Sequence, residues 1–511
     1  MKSIFKAVTI VTIFSVLTRL LGFFFRIFMS RNLGAEGLGL FQMATSVLGV
    51  FMTFVSSGIP LITAKSVAKY ESLNQLKKRN QVVGSALIVG IVISLICSAI
   101  IIVLKNVWNI ILTDSRAVEI LIILIPSILF SAVYAVLRGA LWGKNDYFSC
   151  GLTELIEQVA RFIITLILFY GISDMFTLTK RSAIAFNIAC LVSMIAVAII
   201  FFKKCRISFG KGKYFEVIKK SSPITFIRLA NSMVQPLTAL IVPAMLVVSG
   251  YTQSEAVSSF GVVMGMTFPM LFVPMAVIGS LSMVLIPSIT SMLAKNDYNS
   301  INDNIVQSLN ISCFISMLFV PLYLSVGDLI GIVLYDNLMS GLLLQISAVC
   351  VLPITLCNLT GSILDALNLE VKSFINYCLG SILLFVSLFA LTPILTINAV
   401  PVSFFLCMGL ITILNIRMIK KAVPNIKFNL FKTSFKYTLI IIPSSLLGHF
   451  VSGICEYIFT PFFSAIIGGG LSILSVVILC WIFKIYDLSN ITKLIKRKKK
   501  KAYAPKRCFF I

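Results

Sequence analysis

The chain has 511 residues, of which 59% are hydrophobic and 12% charged, with a mean hydropathy of +1.03; soluble globular chains run ~45–50% apolar and ~25% charged. Only lipid keeps this much apolar sequence out of water, so a soluble globular fold is excluded. The formal net charge of +25 reflects, in a membrane protein, the side on which its basic loops lie, and nucleic acid is not an expected partner.

Apolar runs of spanning length recur near 7–28, 39–62, 81–104, 118–142, 152–171, 182–202, 222–248, 256–280, 305–326, 338–360, 373–392, 397–417, 435–453 and 460–483. They are continuous blocks rich in Ile, Leu, Val and Phe, each long enough for a ~30 Å hydrocarbon core. The ~10-residue alternation of a membrane barrel is missing. The expected fold class is an all-α polytopic membrane protein with about 14 transmembrane helices. Threaded with the N-terminus inside, this pattern places 33 of the 43 Lys and Arg in inner segments and five (Arg31, Lys105, Arg116, Lys180, Arg181) in outer loops. Basic residues concentrate in short cytoplasmic loops, so the expected location is the cell membrane with both termini cytoplasmic. The first run continues through Arg19 to Phe28 without a small-residue cleavage site and reads as an uncleaved span.

Five arginines fall inside these runs: Arg19 and Arg26 in the first, Arg138 in the fourth, Arg161 in the fifth and Arg228 in the seventh. An embedded arginine costs several kcal/mol unless it faces protein, water or an opposite charge. At 100° per residue Arg19 and Arg26 lie on one helix face, two turns apart. Such a stripe is expected to line an interior cavity, where two guanidinium groups suit an anion such as pyrophosphate. In the fifth run Glu154, Glu157 and Arg161 also share a face, and Glu157 and Arg161 have the i,i+4 spacing of an ion pair. Either the glutamates neutralise a buried arginine or one of them binds a coupling cation or proton. Prolines cluster in the seventh and eighth runs (Pro223, Pro236, Pro243, Pro269, Pro274, with Pro287 beyond), where bending is permitted.

A faint internal repeat accompanies them. Phe260-Gly261-Val262 follows Leu38-Gly39-Leu40, and Leu359-Thr360-Gly361 follows Leu137-Arg138-Gly139, both at an offset of 222 residues. A unit of six spans keeps its orientation, which predicts two parallel lobes related by an axis along the membrane normal. The expected organisation is an N-terminal six-helix lobe (1–202), a basic inter-lobe loop (203–221), a second six-helix lobe (222–419), two additional helices (420–484) and a basic tail (485–511). The tail, with Lys496-Arg497-Lys498-Lys499-Lys500-Lys501, is expected to meet anionic lipid. Twelve cysteines form no CxxC pair and mostly sit in apolar runs, and the single histidine is His449. No metal, no cofactor and no catalytic residue is expected, and the protein is not expected to be an enzyme.

The stretch Thr18-Arg19-Leu20-Leu21-Gly22-Phe23, then Arg26, Asn32-Leu33-Gly34-Ala35-Glu36-Gly37-Leu38-Gly39, Gly58-Ile59-Pro60 and Lys65 resembles the stage V sporulation protein B branch of the multidrug/oligosaccharidyl-lipid/polysaccharide exporter superfamily. Arg138-Gly139-Ala140-Leu141-Trp142-Gly143-Lys144-Asn145-Asp146, with Glu154, Glu157 and Arg161, resembles a second stretch of that group. The resemblance implies two six-helix lobes and alternating access. It also implies export of a polyprenyl-pyrophosphate-linked sugar, a peptidoglycan precursor of the spore cortex, with cell-wall synthesis proteins as partners. Flippases of this superfamily use first-span arginines, to which Arg19 and Arg26 correspond by position. Their span-8 arginine has no counterpart here, and whether Arg228 replaces it is open. Arg19 and Arg26 are thus the expected substrate-binding residues, followed by Arg138, Arg161 and Arg228, with Glu154 and Glu157 as coupling or charge-tuning groups. The alternatives are a cation-coupled multidrug exporter of the same superfamily and a non-transporting scaffold for sporulation or cell-wall synthesis.

Overall fold

In the computed structural model the described residues are 2–208, 214–424, 426 and 428–483. Lys211 and Lys213 of the expected inter-lobe loop and the lysines of the C-terminal tail lie outside them. All regular structure among the described residues is helical, and the chain is a multi-span membrane protein. Ten helices are long and apolar enough to cross a bilayer, or eleven if the bent pair Gln253–Leu271 and Val273–Ser282 forms one span. Two of the ten, Ile10–Ser72 and Glu370–Ala422, run to 63 and 53 residues. At 1.5 Å per residue these are roughly 80–95 Å of helix against a ~30 Å core, and each is interrupted. The first breaks at Gly34, whose φ of 65° and ψ of −173° only glycine adopts cheaply. The second breaks at the 3₁₀ turn Thr396–Asn398.

The chain divides into two compact units, one of Met1–Met270, Leu334–Leu343 and Tyr377–Cys407, the other of Leu271–Val333, Leu344–Asn376 and Met408–Ile511. The first has a core of Ile59, Val83, Val136, Leu137, Leu141, Val197 and Phe201. The second packs Ile278, Ile289, Ile305, Leu359, Ile363, Ile419 and Val476. Outside these cores the usual rule is reversed. Ile163 and Ile167, Ile195 and Ile199, Ile382 and Val386, and Ile442 and Leu446 are all exposed at i,i+4 spacing, giving each helix an apolar outward stripe of the kind that faces acyl chains.

Several carboxylates serve the helix ends. Asp114, Asp146 and Asp174 cap the helices that follow them, accepting from the N–H of Arg116, Ser149 and Thr177, and Thr252 with Glu255 forms a reciprocal capping box. At one end of the first unit Arg79 pairs with Glu71, and Lys204 with Asp146. Burial works against the Asp146 carboxylate, but Lys204 and Ser149 outweigh it and hold its pKa below the ordinary range. At the other end Arg116 bridges Asp114 and Glu36, and these two carboxylates raise its pKa further above the ordinary guanidinium value.

In the second unit the hairpin Leu430–Glu456 and Pro461–Ile482 closes through small residues. A Cβ on Gly448 would lie 2.7 Å from that of Ser472, and one on Gly468 2.7 Å from that of Ser452, the close approach typical of helices packed in lipid. His449 belongs to this hairpin. Its Nδ1 lies 3.2 Å from the Ser325 carbonyl, beside the break at Val326 in the helix Tyr298–Tyr335, so the protonated ring nitrogen donates to a carbonyl at the broken turn.

The expected threading has a direct check. Single cysteines at Lys77 and Asp336, both at helix ends, are expected to react with impermeant thiol reagent from opposite faces of the membrane, Asp336 alone in intact cells. Reaction of both from the same side would overturn it. The eleven described native cysteines are free, nine of them buried, so their background is low.

Candidate functional site

The chemistry in the first unit begins with how its first helix lies. Phe14 meets Phe148 at 5.5 Å between ring centroids, Phe25 meets Phe162 at 6.1 Å, and Phe28 meets Phe169 at 5.6 Å. The first helix therefore runs alongside Tyr147–Phe169 in the same direction, the paired rings being 134 to 141 residues apart in sequence. That register sets Arg19 at the level of Glu154 to Glu157 and Arg26 near that of Arg161. Gly151 makes the approach possible, since a Cβ there would sit 2.5 Å from the Phe14 ring.

On the helix Tyr147–Phe169 and its neighbour Pro126–Gly143, four charges form two pairs. Arg161 donates to Glu157 and Arg138 donates to Glu154, each at 2.5 Å. The first pair is the i,i+4 contact that the spacing predicts. The second joins two helices and was not legible, because nothing in the sequence marks a partner 16 residues away. The Arg161–Glu157 side chains are 17% and 19% exposed, against 33% and 43% for Arg138–Glu154, so the first is the more costly to disrupt. Arg161 also lies over the Phe186 ring at 4.5 Å, and Arg138 over Tyr134 at 5.9 Å. In both arginines the Nε–H is buried without a hydrogen-bond partner among the described residues.

The other three arginines differ. Arg19 and Arg228 are exposed, Arg26 is partly buried, and no ion pair involves any of them among the described residues. Arg19 and Arg26 share one face of a continuous helix, as the spacing predicts, yet their surroundings are unlike. Arg26 interacts electrostatically with Tyr335, a residue without a sequence signal. Among the five arginines of the apolar runs, two thus belong to a neutral four-charge network and three are uncompensated, and the described residues contain no cluster fit to hold a metal ion.

The glycine-rich motif following Arg26 has a structural use. A Cβ on Gly37 would lie 2.8 Å from Thr179 Oγ1, and one on Gly39 would overlap the Val257 carbonyl. A Cβ on Gly261 would overlap the Ala35 carbonyl and lie 2.9 Å from Gly39 Cα. Gly139 stands against the Pro60 backbone, 2.6 Å from its carbonyl oxygen. These motifs are therefore seams between helices.

Residues 4–293 match the family described as polysaccharide biosynthesis protein. The chain belongs to the polysaccharide biosynthesis protein family. Among curated relatives of this family member, stage V sporulation protein B of Bacillus subtilis (strain 168) is 24% identical over 473 residues, covering 89% of each chain. Lipid II flippase MurJ of the same organism is 20% identical over 411 residues, covering 73% of this chain and 74% of the relative. Among solved structures, an inward closed conformation of lipid II flippase MurJ superposes with a TM-score of 0.66 at 16% identity, covering 93% of this chain and 98% of that one. An inward-facing multidrug resistance MATE transporter of the MOP superfamily gives 0.68 at 13% identity over 80% and 96%. The polysaccharide biosynthesis family member thus has the fold of MOP superfamily transporters, in agreement with the fold class and resemblance read from its sequence.

Proposed function

We propose that this protein is a flippase. It carries a polyprenyl-pyrophosphate-linked sugar, a cell-wall precursor, from the inner to the outer leaflet of the plasma membrane by alternating access, with both termini cytoplasmic. The single observation behind this reading is the charge inventory of the first unit, where Arg19, Arg26 and Arg228 have no carboxylate partner among the described residues. An uncompensated guanidinium in a spanning helix is stabilised by an anion that docks and leaves. The names of the relatives, one a lipid II flippase and one a sporulation protein, agree with such a cargo. Arg19 and Arg26 contact the pyrophosphate, the sugars ride in the aqueous interior, and the polyprenyl tail stays in lipid.

Glu154 and Glu157 are charge-tuning groups in this reading, each committed to an arginine, while Arg138 and Arg161 each keep a buried Nε–H without a partner among the described residues. A cation-coupled drug exporter would need free carboxylates, and these two are engaged. Two parallel six-helix lobes followed by two further helices complete the proposal. It is supported by the meeting of Gly39 with Gly261, since positions 222 apart that touch one another are what a two-fold axis between matching helices produces. The basic tail anchors the protein to anionic lipid, and cell-wall synthesis proteins are the partners that supply or consume the cargo.

Binding to purified protein tests the site. Arg19→Lys keeps the charge and loses the planar fork, and is expected to weaken binding of a pyrophosphate-linked polyprenyl sugar. Arg19→Ala and Arg26→Ala are expected to fold and insert normally and to abolish nearly all binding and flipping, with a neutral polyprenol unaffected. Parent-like flipping by both alanine variants would leave the arginines purely structural and end the cationic-cavity mechanism.

A further inference from the structure

The environment of Arg26 carries one more residue toward the cargo. Tyr335 ends the helix Tyr298–Tyr335, and its segment Leu334–Leu343 belongs to the same compact unit as the first helix. Arg31 fixes that placement by donating from Nε to the Leu334 carbonyl at 2.9 Å, and Thr267 donates to the Ser340 carbonyl at 3.1 Å. Held this way, the Tyr335 ring is 4% exposed, and its hydroxyl is buried without any hydrogen-bond partner among the described residues.

A buried phenol with nothing to bond is costly, and buried tyrosines ordinarily find a partner for the O–H. Its charged neighbour is Arg26, close enough for the two to interact electrostatically and yet joined to it by no hydrogen bond. The guanidinium is a donor only, and the phenol, which can donate or accept, does neither among the described residues, so its O–H is free to donate. One acceptor placed between them would satisfy both, and an anionic oxygen would also neutralise the arginine.

We propose that Arg26 and Tyr335 form a two-point oxyanion subsite, in which one phosphoryl oxygen of the lipid pyrophosphate accepts from the guanidinium and the phenol together. This rests on the flippase reading and names a substrate-binding residue for it. Arg26 lies about two helical turns from the break at Gly34 and Arg19 about four, so the subsite holds the arginine nearer the break. The phenol adds selectivity that charge alone does not. A neutral polyprenol offers a single uncharged hydroxyl, whereas a phosphoryl group presents anionic acceptors along several directions.

The test uses full-length protein in nanodiscs and a sugar-free polyprenyl pyrophosphate as probe, with the matching polyprenol as control. Tyr335→Phe removes only the hydroxyl and is expected to weaken probe binding about 10-fold, the loss typical of one hydrogen bond to a charged group. Arg26→Lys is expected to weaken it as well. In Arg26→Ala, where the anchoring charge is gone, adding Tyr335→Phe is expected to cost less than 10-fold, because the two groups act on one oxygen. If Tyr335→Phe binds like the parent while Arg26→Ala does not, the subsite is overturned and the flippase reading stands. A Tyr335→Phe change in thermal stability alone, without a change in affinity, overturns it too. Parent protein that binds the pyrophosphate no better than the polyprenol defeats the flippase reading itself.

Discussion

Arg161→Gln is expected to lower the unfolding free energy by roughly 3–5 kcal/mol, and the double change with Glu157→Gln to recover most of that loss. The pair is the less exposed of the two in its network, and removing one member strands the other in a spanning helix. The two single variants are not equivalent. Without Glu157, Arg161 still lies over the Phe186 ring, worth ~0.5–2 kcal/mol as a cation–π contact. Without Arg161, Glu157 is left on the same helix face as Glu154. Arg161→Gln should therefore melt at a lower temperature than Glu157→Gln in detergent, and the double variant above both. If the double variant melts lowest of the three, the pair is not the structural unit proposed. Transport by Glu157→Gln that loses its ion dependence at parental expression would assign the glutamate to coupling instead.

Gly261→Ala is expected to be among the most damaging single-methyl changes in the protein. Its Cβ would overlap the Ala35 carbonyl and press on Gly39 Cα, and both obstacles are backbone, which cannot rotate away. Overpacking of this kind costs ~1–3 kcal/mol and sometimes more, and here it also forces two spanning helices apart. Gly361→Ala is the control. Nothing lies within 3.9 Å of its Cβ except Ser373 Oγ at that distance, and Ala is favoured over Gly in a helix by ~1 kcal/mol. Thermal melts should show a large drop for Gly261→Ala and none, or a small gain, for Gly361→Ala. Equal melting temperatures for the two would remove the seam from the account.

These cases show where the sequence is readable. Spanning helices were legible because lipid demands long apolar runs, and Glu157–Arg161 because helical spacing dictates the contact. The i,i+4 rule has no equivalent for Arg138 and Glu154, which meet only once two helices pack. Spacing placed Arg19 and Arg26 on one face correctly, but it could not give their unlike exposure, which depends on what covers each turn. Gly39 and Gly261 were visible as a match at a fixed offset, and only the folded chain brings the matched residues into contact. Tyr335 had no signal because a tyrosine at a helix end is ordinary in a membrane protein. Gly34 was part of a motif, yet its left-handed φ follows from the chain having to turn between two helices.

The four paired charges of the first unit have an electrical consequence. Arg138, Arg161, Glu154 and Glu157 sum to zero, so carrying their helices together through the transmembrane field does almost no electrical work. Arg19, Arg26 and Arg228 are the uncompensated ones, and each full crossing of the field by such a charge is worth ~2.3 kcal/mol per 100 mV. The resting voltage therefore acts on the first helix and on Tyr214–Ser232, while the helices of the paired network are electrically silent.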